Sequence, residues 1–393
     1  MNKQTGATLL VAGTCIGSGM LSLPMVLAKI GIIPSVFLMI IMWVIIYYSA
    51  IINLELSLHA GRAMSLGDLG RKFSGRIAEL VGVGSFRALS FCLVIAYIYG
   101  GSSVIRSILD LPKESFSTIA GIYSFLVIIL LMLPLKNIDL VNRGLFMGLL
   151  GVIALLVIGL FTKVNWDNLP HFAPNFTNIS SWILIAPIVF TSFGFHGSIP
   201  TIIKYCDNNP KILKKVFFWG CSIPSIVYIV WTIGVLSICY SNNHSIYELM
   251  LGNKNVEVGE LVVALSSIVQ SELVRHLISW ISLLAIITSL IGVGISLCEN
   301  IQNSLPTKYS KFSSIVTIFP AYLMASFIPN AFISLLAFAG MILSIIAIIL
   351  PVYLLYKINP KQYLCAELEG FPIVNLIAIA GVLIIISELL NLI

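Results

Sequence analysis

Apolar residues run through this chain in blocks of about 18 to 30 with no strict alternation, and short polar connections divide them. A hydrocarbon core roughly 30 Å thick takes about 20 helical residues, and only helices or closed barrels satisfy the backbone inside it. Long, non-alternating blocks select helices. The pattern predicts eleven membrane spans, at about 5–30, 34–58, 78–107, 118–135, 143–162, 180–205, 215–239, 275–300, 313–329, 331–356 and 373–391. The block from Val256 to Ser271 is shorter and carries Glu257 and Glu260, so it reads as a helix lying over an external mouth, not as a twelfth span.

Composition sharpens this picture. Of 393 residues, 59% are hydrophobic and 10% charged, against roughly 25% charged in an ordinary soluble domain. Mean hydropathy is +1.04, which excludes a soluble globular protein and makes the lipid bilayer the main solvent. The net charge of +6 comes from residues scattered between apolar blocks, not gathered into a phosphate-binding surface, so no nucleic-acid partner is expected. Counted over the eleven spans, 15 Lys and Arg fall on one side and six on the other, with Arg87 inside the third span. Positive charge favours the cytoplasm, which puts the N-terminus inside and the C-terminus outside. Polar connections are short throughout, so residues 1–393 form one membrane domain. Seven cysteines lie mostly in apolar blocks without a CxxC pair or a Cys/His cluster, which argues for buried or free thiols and against a disulfide framework or metal site.

Two spans share an interruption. The first carries Gly13, Gly17 and Gly19 within seven residues, with Pro24 following; the sixth carries Gly194 and Gly197, flanked by Pro187 and Pro200. Each helical glycine costs roughly 1 kcal/mol relative to alanine, and unwound backbone at membrane depth is tolerated only when buried in protein or lining a cavity. Close helix packing of the small-xxx-small kind is the competing explanation for either break alone. Two breaks at corresponding places in two halves point to an inverted-repeat transporter with its substrate near the bilayer midplane.

Such breaks can bind an amino acid almost without side chains. The N–H groups of Ser18, Gly19 and Met20, at the positive end of the outer half-helix, suit a carboxylate. Carbonyls near Cys15, with those near Thr191 and Phe193, suit an α-ammonium group. Phe190, Phe193 and Phe195 at the second break, with Tyr97 and Tyr99 in the third span, are candidates to wall an aromatic side-chain pocket. His196 lies in the second break, where an imidazole either carries a proton for coupling or, kept neutral, satisfies frayed carbonyls. Thr288 and Ser289, halfway along the eighth span, either join first-helix carbonyls around a sodium ion or bond back to their own helix. Glu55, Glu299 and Glu388 stand near span ends, solvated or paired; Arg87 either snorkels or pairs with Glu79.

The segments Gly13 to Pro24, Ala96 to Gly101 and Phe190 to Pro200, with Ser289 to Val293, resemble the bacterial hydroxy and aromatic amino acid permeases. That family includes the tyrosine- and tryptophan-specific permeases of the amino acid, polyamine and organocation superfamily. The resemblance implies an all-α integral membrane fold of the leucine-transporter type, with helices 1–5 (1–162) and 6–10 (180–356) as inverted repeats and helix 11 (373–391) appended. It implies a secondary active transporter, not an enzyme, in the bacterial cytoplasmic (inner) membrane with a periplasmic C-terminus. Its substrate would be an aromatic amino acid, tyrosine foremost, taken up by proton symport without a cofactor. By motif position Ser18 and Gly19 would bind the carboxylate and Gly194 and Phe193 the amine. His196 matches a position where related exchangers carry a carboxylate linked to proton coupling. Cys15 and Tyr99 depart from the commoner smaller or hydroxyl residues. The rival readings are sodium coupling, serine or threonine as substrate, and a membrane nutrient sensor; no H-E-x-x-H or G-x-S-x-G motif supports catalysis.

Overall fold

A computed structural model of the chain describes residues 3–17, 19–133, 141, 144–155, 164, 166, 169–242, 244–252, 258–268, 272–302, 306, 312–328, 331–360, 362–369 and 372–392. Among these residues the regular structure is helical throughout. The helices are α1 (Lys3–Cys15), α2 (Gly19–Leu27), α3 (Ile32–Ala60), α4 (Leu66–Ser74), α5 (Arg76–Ile108), α6 (Phe116–Leu131) and α7 (Gly144–Leu155). There follow α8 (Ile179–Ser192), α9 (Ile199–Tyr205), α10 (Pro210–Asn242), α11 (His244–Leu251), α12 (Val258–Ile268), α13 (Glu272–Gln302), α14 (Ser313–Phe327), α15 (Ala331–Ser344), α16 (Leu350–Ile358) and α17 (Ile373–Asn391). Eight helical stretches among the described residues are long and apolar enough to cross a membrane, or nine when α1 and α2, bent by 51°, count as one broken span. Two shorter apolar helices, α7 and α14, occupy the places of the fifth and ninth blocks in the sequence.

The apolar blocks form helices because nothing else pairs their backbone in lipid. Prolines inside five of these stretches, Pro24, Pro187, Pro224, Pro320 and Pro351, then create a debt of hydrogen bonds, and three of them show how it is met. Proline has no N–H for the carbonyl four residues earlier, so Pro24, Pro187 and Pro351 leave Met20, Ile183 and Ala347 without their usual partner. Each of those carbonyls receives a side chain from another helix. Trp231 Nε1 of α10 donates to Met20. Ser387 Oγ and Asn391 Nδ2 of α17 donate to Ile183 at 2.5 and 3.3 Å. Asn53 Nδ2 of α3 donates to Ala347 at 3.1 Å, inside a π-helical segment, Ile345–Ile349, that joins α15 to α16. These side-chain bonds tie helices distant in sequence.

Small residues allow the backbones to approach. A Cβ at Gly340 of α15 would lie 2.2 Å from the Pro187 carbonyl oxygen of α8, and one at Gly259 of α12 would lie 2.5 Å from the Ser103 carbonyl oxygen of α5. The short helix α12 is thereby docked on α5, with Val258, Leu261 and Val262 buried.

The carboxylates left open by the sequence resolve as paired or exposed. Glu55 is fully buried on α3 and accepts the backbone N–H groups of Leu364 and Cys365, both at 2.8 Å, with His59 Nε2 at 3.0 Å. Lys214 of α10 meets Glu367 at 2.5 Å, so the connection between α16 and α17 is strapped to α3 and α10. Burial, reinforced by the Glu55 carboxylate, pushes the Cys365 thiol up to about 12. Glu388 is buried and accepts from Asn391 at 3.2 Å; Glu299 is exposed. Arg87 Nε donates to Asn300 Oδ1 at 2.5 Å, while Glu79 receives Arg71 at 3.4 Å. All seven cysteines are free and six are buried.

Removing the donor to a proline-freed carbonyl leaves a buried acceptor unsatisfied, which costs about 1–3 kcal/mol. Asn53→Leu is therefore expected to lower the thermal unfolding midpoint of the purified protein. Adding Pro351→Ala returns an N–H within reach of Ala347 and recovers part of that loss; independent, additive effects of the two substitutions would contradict this account of Asn53.

Candidate substrate and coupling site

The two breaks lie against each other. In the first, α1 ends at Cys15, Ile16 N–H still reaches the Ala12 carbonyl at 2.9 Å, and Met20 N–H closes a turn onto Gly17 at 3.0 Å before α2 continues. Ser18 falls outside the described residues. A Cβ on Gly19 would lie 2.6 Å from the Tyr228 hydroxyl and 2.8 Å from Ser192 Cβ; one on Gly17 would lie 2.0 Å from Ser289 Oγ. Glycine is thus needed at both positions for close approach as well as for the break, and the two explanations of the glycine pattern are one.

In the second break α8 ends at Ser192. Phe193 N–H bonds to the Phe190 carbonyl at 3.2 Å and Gly194 N–H to the Thr191 carbonyl at 2.9 Å. A 3₁₀ turn, His196–Ser198, leads into α9. Thr191 Oγ1 lies 2.8 Å from the carbonyl oxygens of both Pro187 and Leu336, with one proton to share between them, and Gly194 packs under Leu343. Cys15 Sγ donates to the Phe193 carbonyl at 3.4 Å, which joins the breaks directly. Phe190, Phe193 and Met20 are fully buried, and Tyr97 on α5 is 6% exposed.

Carbonyls expected to be open at the breaks have partners here. The Tyr228 hydroxyl of α10 lies 2.6 Å from the Cys15 carbonyl oxygen and 3.0 Å from that of Ser192. Its ring packs edge-on against Phe193, with centroids 5.4 Å apart. The physical reason is that a buried acceptor without a donor is costly in a dry interior. Tyr228 and Trp231, one helical turn apart, hold both halves of the first broken span. Neither stood out in the sequence, where Tyr and Trp are ordinary residues of a membrane helix. The available signal was indirect: Pro24 implies a donor for Met20.

His196 is 5% exposed. Its Nε2 lies 2.7 Å from Ser49 Oγ, and Ser49 also donates to the Ile46 carbonyl at 2.9 Å. Asn53, one turn further along α3, donates to the Ser49 carbonyl at 2.9 Å. His196 Nδ1 is buried without a hydrogen-bond partner. The imidazole also lines a cavity of about 280 Å³. That cavity runs from buried His196 past Asn53 and Ser57 to Ser65 and Glu299, both exposed. Ser65 caps α4, the helix that carries Arg71 and Lys72. Thr288 donates to the carbonyls of Leu284 and Ala285 at 2.8 and 3.2 Å, and Ser289 to Ala285 at 2.9 Å.

Two broken helices meeting at a buried polar centre inside a multi-pass helical bundle define a membrane permease. The model of the tryptophan/tyrosine permease family matches residues 1–388, and the chain belongs to that family. It is 32% identical to "Tyrosine-specific transport system 1" of Haemophilus influenzae over 91% of this chain and 88% of the relative. To "Tyrosine-specific transport system 2" of the same organism it is 28% identical over 99% and 97%, and to "Glutamine transporter 2" of Aliivibrio fischeri 28% over 92% and 90%. The chain is a multi-pass amino-acid permease of a bacterial inner membrane, not an enzyme.

Proposed function

We propose that this permease imports an aromatic amino acid, tyrosine first and tryptophan or phenylalanine next, by proton symport and alternating access. The observation that carries the reading is the meeting of three helix ends around the Tyr228 hydroxyl. The start of α2 at Gly19 presents positive dipole, and the ends of α1 and α8, at Cys15 and Ser192, present carbonyl oxygens. That is the charge pattern of an amino-acid zwitterion. Gly17, Ser18, Gly19 and Met20 frame the carboxylate; Cys15, Thr191, Phe193 and Gly194 frame the ammonium; Phe190, Phe193 and Tyr97 offer aromatic walls. Two tyrosine-named relatives support the side-chain class, and a glutamine-named relative of similar identity makes glutamine the necessary competitor.

The fold reading that goes with it is eleven spans of the leucine-transporter type: two inverted repeats over 1–162 and 180–356 with an added helix at 373–391. The charge bias supports a cytoplasmic N-terminus and a periplasmic C-terminus. In that orientation the 280 Å³ cavity connects His196 with the cytoplasm. An imidazole with one nitrogen on Ser49 and the other unpartnered suits a proton carrier. One proton moving down 100 mV supplies about 2.3 kcal/mol, and each pH unit adds about 1.4 kcal/mol. Sodium coupling through Thr288 and Ser289 is the second reading, favoured by the contact between Ser289 and Gly17.

Labelled tyrosine uptake into proteoliposomes in sodium-free buffer tests the proposal. Accumulation under an inward proton gradient, abolished by a protonophore and outcompeted by tryptophan but not glutamine, is expected; accumulation only under a sodium gradient would replace the coupling ion. His196→Ala is expected to abolish proton-driven accumulation while leaving tyrosine exchange, and unchanged accumulation would remove His196 from coupling. Gly19→Leu is expected to eliminate tyrosine binding, because its side chain fills the carboxylate's place against Tyr228 and Ser192; near-normal affinity would move the site elsewhere.

A further inference from the structure

We propose that the Tyr228 hydroxyl and the substrate's ammonium group are alternative partners of the same two carbonyls, Cys15 and Ser192, so that Tyr228 is the latch that closes the site on itself when no amino acid holds it. The inference rests on the placement of the substrate between the two breaks. Tyr228 is fully buried, and its hydroxyl lies 2.6 Å from one carbonyl oxygen and 3.0 Å from the other. A phenol has one proton, so it cannot give a full hydrogen bond to both acceptors at once. An ammonium group has three N–H donors and a positive charge, and charge-assisted bonds are roughly twice as strong as neutral ones. It is therefore the better partner for this pair.

Position makes the two partners exclusive. A single Cβ on Gly19 would already be 2.6 Å from the hydroxyl, so the phenol oxygen occupies the ground between the start of α2 and the carbonyls where a zwitterion's head group would go. Binding must displace it, and the Phe193 ring, edge-on to Tyr228, is the wall it turns against. Trp231 remains on the Met20 carbonyl of α2, which gives α10 a fixed anchor one turn from the moving one. The latch lets a symporter return unloaded: without substrate the carbonyls keep a donor, and the breaks stay together.

The consequence separates net transport from exchange. Net uptake requires the unloaded carrier to reorient, whereas exchange does not. With Tyr228→Phe, tyrosine exchange in proteoliposomes is expected to fall less than twofold and proton-driven net uptake about tenfold. Tyrosine binding is expected to tighten about three- to tenfold, the weight of one hydrogen bond that no longer competes. 4-Aminophenylalanine at position 228 restores a donor and should reverse these changes. Weaker binding, or equal losses in exchange and net uptake, would overturn the latch. If Tyr228→Phe unfolds when purified without ligand, purification in L-tyrosine gives the same test. The latch requires ligand to rescue that variant, and instability in both conditions overturns it. Loss of binding in Gly19→Leu together with wild-type behaviour of Tyr228→Phe rejects the latch alone. Wild-type binding in Gly19→Leu rejects the site and the latch with it.

Discussion

In a hydrocarbon environment every backbone carbonyl that loses its helical partner must find another donor within the protein, and that constraint organises this permease. Prolines at 24, 187 and 351 and the two helix breaks release a defined set of carbonyls. Side-chain donors to several of them come from α1, α3, α10 and α17, none adjacent in sequence to the carbonyl it serves. Interhelical hydrogen bonds in membranes are individually modest. Their value here is specificity, since each fixes one helix against one atom of another and so sets the register of the bundle where packing of Leu and Ile against lipid-like surroundings cannot.

The same chemistry links architecture to transport. A carbonyl that is a liability for stability is also a ligand for a cation, and a helix start that lacks acceptors is a ligand for an anion. The breaks concentrate both near Tyr228, at the junction of α1, α2, α8 and α10. In the proposed site, backbone groups would recognise the invariant head group of an amino acid, leaving side-chain selection to the rings around it. His196 adds the second ingredient. It belongs to the same break as Phe193 but faces α3 and the cavity that reaches Ser65 and Glu299; under the proposed coupling, a proton on the imidazole and a substrate at Cys15 would act on one turn from two sides.

Much of the helical layout was legible in the amino-acid order, and the reason is periodicity. Long apolar blocks become helices, and the glycine clusters at 13–19 and 194–197 mark where two of them stop and restart. The bond partners were not legible. Tyr228, Trp231, Asn53 and Ser387 are ordinary residues in apolar helices, distinguished only by what the tertiary fold sets opposite them. Arg87 illustrates the limit: helical spacing offered Glu79, whereas the bundle offers Asn300 on α13. Glu55 stands near the end of a span, yet the strap at Leu364 and Cys365 folds back over it and supplies two N–H donors. Pro24, Pro187 and Pro351 are the places where such partners were foreseeable, because each names a carbonyl that lacks its helical donor.

The most direct test of this account is an experimental structure of the permease with L-tyrosine bound. The account predicts the ligand's ammonium within hydrogen-bond distance of the Cys15 and Ser192 carbonyl oxygens, its carboxylate at the start of α2 beside Gly19, and the Tyr228 hydroxyl turned away from both carbonyls. Tyrosine bound elsewhere in the bundle, or bound there with the Tyr228 hydroxyl still on Cys15, would contradict it.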